Sequence, residues 1–368
     1  MSKELTCLRI RFIQLHNATI RQTFRVSIGA EKIRIQFSNR FSTTDLPLDA
    51  VSVALPKDGA SGTGDIRCGS SQSLTFNGSS SVVIPPGGTI YSDPVVFRVE
   101  PLSNIALSIY TEQGQSGKRI TGHPGSRTTT WMEKGNKVNA TSISQSPSIG
   151  WYFASSIEGL VPNNRYSLVA LGDSITDGLG SDTNKNNRWT DILAERLQAN
   201  SSGNIAINNQ GIGGNSVVQG GLGETLLKRY RRDGLERSGI KFLFVLEGVN
   251  DLGYSKTDAA WQDSLFKAMT NAYAEIVAAA KEAGIVTMGG TITPFGGSSS
   301  YAHPEREKTR LLINDWILTN GTFDHAIDFA AMIGEGDKLL PEFDSDGLHP
   351  NAAGYRAMGE GFPLNILK

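Results

Sequence analysis

The chain has 368 residues, with 35 Lys and Arg against 36 Asp and Glu and a formal net charge of −1. That balance offers no cationic face for nucleic acid or an anionic membrane, and no apolar run approaches the length of a transmembrane helix, so neither nucleic acid nor stable membrane insertion is expected. The length allows one large domain or two ordinary ones with a real core, and the 41 glycines point to many turns and short strands rather than a helical bundle.

The opening "MSKELTCLRIRFIQLHN" lacks the apolar h-region of a signal peptide. The sequence therefore leaves localisation open between a secreted and a cytoplasmic protein. Cys7 and Cys68 are the only cysteines. They read as two buried thiols, or as one disulfide tying the first strand to a Gly/Ser-rich loop. No CxxC pair or histidine cluster accompanies them, so no metal site is expected there. In "RQTFRVSIGAEKIRIQFSN", Phe24, Val26 and Ile28 alternate with polar residues, and Ile33, Ile35 and Phe37 repeat the pattern. "GAEK" between them reads as a hairpin turn. "SSVVIPPGGTIYSDPVVFRV" and "NIALSIYTE" add further short strands, and no long helical stretch appears. Residues 1–150 are thus expected to form an all-β, jelly-roll-like sandwich, either structural or binding a polymeric substrate. Asn-x-Ser/Thr triplets at Asn17, Asn77, Asn139 and Asn320 carry little weight in so Asn-, Ser- and Thr-rich a chain.

From 151 the texture changes. "RYSLVALGD" reads as a buried strand. "NRWTDILAERLQAN" reads as a helix with Trp189, Ile192, Leu193 and Leu197 on one side. Strand "NIAINNQG", helix "LGETLLKRYRRDGLERSG", strand "KFLFVLEGVND" and a long helix through "DAAWQDSLFKAMTNAYAEIVAAAKEAG" follow. Strand "IVTMGGTITP", helix "HPEREKTRLLINDWILTNG", a fifth strand in "FDHAIDFAAM" and a closing helix "NAAGYRAMGEGFPLNI" complete 151–368. Five apolar strands alternating with helices predict an α/β domain with a parallel sheet covered on both faces. Right-handed crossovers then bring every strand's C-terminal end to one edge, where such sheets bind ligands.

Four polar clusters follow strands in this way: Gly172-Asp173-Ser174, "NQGIGGNS" ending at Ser216, Gly248-Val249-Asn250-Asp251, and Asp346-Gly347-Leu348-His349-Pro350. Together they resemble the signature blocks of the SGNH hydrolases, the GDSL esterase/lipase superfamily. The resemblance covers about 160–368 and implies a flavodoxin-like three-layer α/β/α fold. It implies a catalytic Ser174, an oxyanion glycine at Gly214, an oxyanion asparagine at Asn250, and Asp346 and His349 as the rest of a triad. "RVSIGAEKIRIQFSNRF" also resembles the β-sandwich that precedes this domain in some bacterial members.

The chemistry agrees with those roles. A serine hydroxyl needs a base to take its proton and a group to orient that base; His349 and Asp346 can supply them. A tetrahedral oxyanion needs donors where its charge develops. The N–H groups of Ser174 and Gly214 and the Asn250 amide are candidates.

Each residue also has a plainer reading. Ser174 can cap a helix, Asp173 can bond the loops, and Asp177 can cap or face solvent. Gly211, Gly213 and Gly214 can form a tight loop. They fit neither a phosphate loop nor the Gly-x-Gly-x-x-Gly spacing, so no dinucleotide is expected. Asn250 and Asp251 can satisfy a strand end. Asp344, Asp346 and His349 hint at a metal, but no third strong ligand is evident, and His303 and His325 are dispersed. No cofactor or metal is expected, and Asp344 rivals Asp346 as the orienting acid. The leading reading is a serine esterase acting through an acyl-enzyme on a small-molecule or carbohydrate ester, with short acyl chains and sugar O-acetyl groups in view. No apolar lid insertion is evident. "TPFGGSSSYAHPE" reads as a substrate-facing loop whose Tyr301 contacts the alcohol or covers the core. An acyltransferase using the same intermediate and a non-enzymatic carbohydrate-binding protein remain as alternatives.

Overall fold

The computed structural model describes residues 15–117, 119–200 and 203–368, and the backbone of 6–9. It divides into two compact units, the first ending at Asn163 and including Thr183–Asn186, the second holding Asn164–Asp182 and Asn187–Lys368.

The first unit is all-β. Ala18–Arg25 runs antiparallel to both Asn104–Thr111 and Thr129–Lys134, and Ala50–Ala54 flanks Asn104–Thr111. In a second sheet Ala30–Ser38 is paired with Ala154–Leu160, Thr89–Tyr91 and Val95–Val99. Ile20, Phe24, Ile33, Ile35, Phe37, Val53, Leu107 and Trp151 share one core. "GAEK" is therefore not a hairpin turn. It carries the chain from one sheet to the other, since Ala18–Arg25 and Ala30–Ser38 share no ladder. Alternation gives each strand an apolar face, and that face can meet a partner across the sandwich as well as beside it. The pairing of Ala154–Leu160 with Ala30–Ser38 extends this unit beyond residue 150. Cys68 is exposed; the Cys7 side chain, and so the Cys7–Cys68 pairing, lies outside the described residues.

In the second unit, strands β1 (Tyr166–Gly172), β2 (Ile205–Gly211), β3 (Ile240–Leu246), β4 (Val286–Gly290) and β5 (His325–Ile327) form one sheet in the order β2-β1-β3-β4-β5. Every pair is parallel. Leu168–Leu171 and Phe242–Leu246 are buried throughout, as expected for strands covered on both faces. Helices α1 (Ser174–Asp177), α2 (Trp189–Ala199), α3 (Leu226–Tyr230), α4 (Val249–Gly253), α5 (Ala259–Glu282), α6 (Pro304–Thr319), α7 (Phe329–Ile333) and α8 (Ala352–Gly361) complete the unit. α2 packs with α8, and α5 with α6, giving a three-layer, flavodoxin-like α/β/α arrangement. On α2, Trp189, Ile192, Leu193 and Leu197 are the buried stripe, and Trp189 meets Phe244 edge-on at 5.2 Å. Asp258 caps α5 through Trp261 N at 2.9 Å. Among the described residues no helix is long and apolar enough to cross a membrane.

Two elements are shorter than their periodicity suggests. The fifth strand stops at Ile327 because Asp328 caps α7, accepting from Ala331 N at 3.1 Å. The helix after β2 gives way at Tyr230 to a π-turn over Arg231–Leu235. There Gly234 lies so close to Leu171 and Leu243 that a Cβ would be 3.2 Å from either. The strand order reverses between β1 and β3, the place where this topology opens a crevice at the C-terminal edge.

Candidate active site

β1 ends at Gly172 for a steric reason: a Cβ there would fall 2.3 Å from Thr176 Oγ1 and 2.5 Å from Leu246 O. The chain then turns into α1, and Asp173 caps that turn by accepting from Ile175 N at 2.9 Å. With the cap supplied by Asp173, the Ser174 hydroxyl is released from that duty. Its Oγ lies 2.8 Å from His349 Nε2. His349 Nδ1 lies 2.9 Å from Asp346 Oδ2 and 3.1 Å from Oδ1, and Asp346 Oδ1 also accepts from His349 N at 2.8 Å. Asp344 is used differently. Its Oδ1 accepts from Asp346 N at 3.0 Å and Gly347 N at 2.6 Å, building the turn that presents Asp346. Of the two rival acids, the imidazole therefore meets Asp346. Partial burial raises the Asp346 carboxyl, but the His349 ring and the N–H groups of His349 and Leu348 outweigh it and hold its pKa below the usual range. Ser174 and His349 are both buried, 5% and 7% exposed.

The loop after β2 folds back on itself. Gly214 adopts φ +75°; its carbonyl accepts from Leu222 N at 2.7 Å. Asn215 Nδ2 donates to Leu222 O at 2.7 Å and Glu224 O at 2.8 Å. Asn215 O in turn accepts from Asn250 Nδ2 on α4 at 2.7 Å. That bond uses one of the two Asn250 amide hydrogens and leaves the second. Among the described residues no backbone bond takes the N–H of Gly214 or Ser174. The backbone N–H groups of Ser174 and Gly214 and one amide N–H of Asn250 are thus not taken up by these bonds.

Asp177 is buried rather than solvent-facing. His303 caps α6, its Nδ1 accepting from Glu305 N at 3.2 Å, and His325 lies on β5; neither joins this cluster. Tyr301 covers the core, 7% exposed, but its hydroxyl donates to Asn250 Oδ1 at 2.8 Å.

A sequence profile of the GDSL-like lipase/acylhydrolase family matches residues 170–357, just over half of the 368. The chain belongs to this family. The acylhydrolase is accordingly a carboxylic ester hydrolase. Similar solved structures include a member of the lipolytic G-D-S-L family from Veillonella parvula (18% identity, 53% of this chain and 95% of that one, TM-score 0.40). A GDSL-like lipase from Bacteroides thetaiotaomicron is 21% identical over 55% of this chain and 87% of that one, TM-score 0.40. A catalytic mutant of an acetylxylan esterase from Geobacillus stearothermophilus is 20% identical over 54% and 93%, TM-score 0.40. No curated protein matches the chain.

Beneath its candidate site the acylhydrolase carries a polar floor that the sequence did not announce. Arg229, fully buried, donates to Asn215 Oδ1 at 2.8 Å, Gln210 O at 2.9 Å and Gly172 O at 3.0 Å. It also pairs with Glu247 at 3.2 Å and Asp233 at 3.5 Å. Asp251 accepts from Val217 N at 2.7 Å and Val218 N at 3.0 Å, pinning the loop that holds Gly214. Burial pushes the Asp173 carboxyl up to about 7, Glu247 to about 8 and Asp251 to about 6. In "KRYRRDG" nothing separates Arg229 from its solvated neighbours except its place in the helix.

These raised carboxyls bind protons more tightly in the folded chain than in the unfolded one, where they titrate near about 4. Their linkage therefore lowers stability as pH rises from that range through about 6 to 8. Glu247→Gln has no titrating proton to lose, so we predict a smaller fall in Tm between mildly acidic and mildly alkaline buffer than in the wild type. Thermal melts across that range check this; parallel curves for the two proteins would contradict it.

Proposed function

We propose that the enzyme is a serine esterase in which Ser174 is the nucleophile, His349 the general base and acid, and Asp346 the orienting carboxylate. The observation that carries this reading is the 2.8 Å approach of Ser174 Oγ to His349 Nε2 with Asp346 behind the ring at 2.9 Å. Oγ attacks the ester carbonyl carbon as Nε2 takes its proton. The carbonyl oxygen becomes an oxyanion, received by the N–H groups of Ser174 and Gly214 and the second N–H of Asn250. The tetrahedral species collapses, the C–O bond to the alcohol breaks, and His349 returns the proton to the leaving oxygen. A water then gives a proton to His349, attacks the acyl-enzyme carbonyl, and the acid departs as Ser174 recovers its hydrogen. Asp346 stays ionised and stabilises the imidazolium. The cycle needs no metal or cofactor.

Short acyl groups, including O-acetyl groups on carbohydrate, are the proposed substrates. In support, the connections at this sheet edge are rich in Gly, Ser, Asn and Thr, as in "GIGGNS" and "TPFGGSSSY". Intact mass after exposure to a small phosphonofluoridate tests the assignment. One adduct is expected on the wild type and none on Ser174→Ala, and an ester panel should give its highest kcat/KM at acetyl to butyryl. An unlabelled but folded wild type, or a labelled Ser174→Ala, would overturn the reading.

A further inference from the structure

We propose that Tyr301 is a positioning residue for catalysis, its hydroxyl holding the Asn250 amide so that the free Nδ2–H faces the developing oxyanion. The inference rests on the serine-esterase reading and adds a residue from the loop after β4 to it.

An asparagine amide has two flip states and a soft terminal torsion. At Asn250 both ends are specified. Asn215 O accepts from Nδ2 at 2.7 Å, and Tyr301 donates to Oδ1 at 2.8 Å. The Asn215 carbonyl, which can only accept, admits a single flip state, and the Tyr301 hydroxyl on Oδ1 fixes the amide plane. The reversed state would bring Oδ1 against Asn215 O and turn an acceptor toward the negative charge. A donor on Oδ1 also draws charge from the amide and strengthens its N–H groups as donors.

The phenol is itself tightly seated. Its ring lies on Gly253, where a Cβ would fall 2.0 Å from Tyr301 Cε1. It meets Phe295 edge-on at 6.2 Å and Tyr254 at 5.6 Å. Arg306 Nη1 donates to the carbonyls of Ser300 and Tyr301, 3.1 Å each, while Nη2 donates to Ser255 O at 2.6 Å. The same guanidinium thus ties the tyrosine loop to the turn that follows α4. Burial, with the Tyr254 hydroxyl beside it, pushes the Tyr301 phenol far above its ordinary value, so it remains a donor at any working pH. No hydrogen bond among the described residues links Tyr301 to Ser174, His349 or Asp346.

A double-mutant cycle in the full chain separates positioning from simple support. Asn250→Ala should lower kcat by roughly 10²–10³-fold, the loss typical of one oxyanion donor. Tyr301→Phe, which removes only the hydroxyl, should lower kcat about tenfold with KM within about twofold of wild type, a loss confined to the transition state. In the Asn250→Ala background it should change kcat by less than about twofold, because the group it acts through is gone. Gly253→Ala keeps the hydroxyl but displaces the ring, and should reproduce the kcat loss. Inhibition by a small alkylboronic acid, whose adduct is tetrahedral, should weaken in parallel with kcat. A Tyr301→Phe enzyme with wild-type kcat, a rise in KM alone, or an undiminished loss in the Asn250→Ala background would overturn the inference. Turnover that survives Ser174→Ala would instead overturn the esterase reading itself, so the two failures are distinct.

Discussion

Ser174→Ala is expected to lower kcat on a simple ester by about six orders of magnitude, and His349→Ala by nearly as much. The stronger expectation concerns the pair. Because every proton that His349 moves belongs to the cycle that Ser174 opens, the double variant should be no slower than either single one. The residual rate over water then reports the oxyanion donors and substrate binding, which both substitutions leave in place. Asp346→Asn should cost about 10⁴-fold, since an amide holds the imidazole in the wrong tautomer. Steady-state rates, normalised to folded protein by absorbance and circular dichroism, measure all four variants. Losses that multiply would mean that the residues do not work as one unit, despite the 2.8 and 2.9 Å contacts between them.

Arg229→Met should be the most damaging substitution that touches no candidate catalytic residue. The guanidinium is fully buried and holds Glu247, Asp233, Asn215 and the carbonyls of Gly172 and Gln210. Methionine fills part of the volume but leaves carboxyl groups buried without their cation. Removing one partner of such a pair costs about 3–5 kcal/mol. Urea unfolding at a pH above about 8, where Glu247 is ionised, should show that fall, and Glu247→Gln in the same chain should recover part of it by removing one orphaned charge. Full stability of Arg229→Met would mean that neutral carboxylic acids already bridge the floor and the cation adds nothing.

The features legible in the sequence are those with a period or a boundary. Leu168–Leu171 and Phe242–Leu246 are continuous apolar runs because both faces of the sheet are covered. The stripe of Trp189, Ile192, Leu193 and Leu197 marks α2 by its helical spacing. Ser174, Gly214 and Asn250 stand out because each polar cluster interrupts or follows an apolar strand at its end, whereas His349 lies well beyond β5, in the loop before α8. What stayed hidden depends on contacts between distant segments. "GAEK" has a turn's composition whether the next strand lies beside the last or across from it. Arg229 sits among other arginines, and only the packing of α3 onto the sheet buries it. Tyr301 reads as a loop aromatic until α4 is placed, when its hydroxyl is found on Asn250, 51 positions away in sequence. The early end of β5 turned on one residue, Asp328, whose capping bond competes with continued strand.

The side chain that shapes the turn after β1 and the side chain aimed at His349 are neighbours, Asp173 and Ser174, with no task in common. The two jobs can therefore be edited independently. Exchanging the hydroxyl at 174 for a thiol or a hydrogen alters reactivity while the helix keeps its first turn. Changing Asp173 would instead loosen the scaffold under an intact nucleophile. An enzyme arranged this way can have its chemistry exchanged by one atom without rebuilding the corner that presents it.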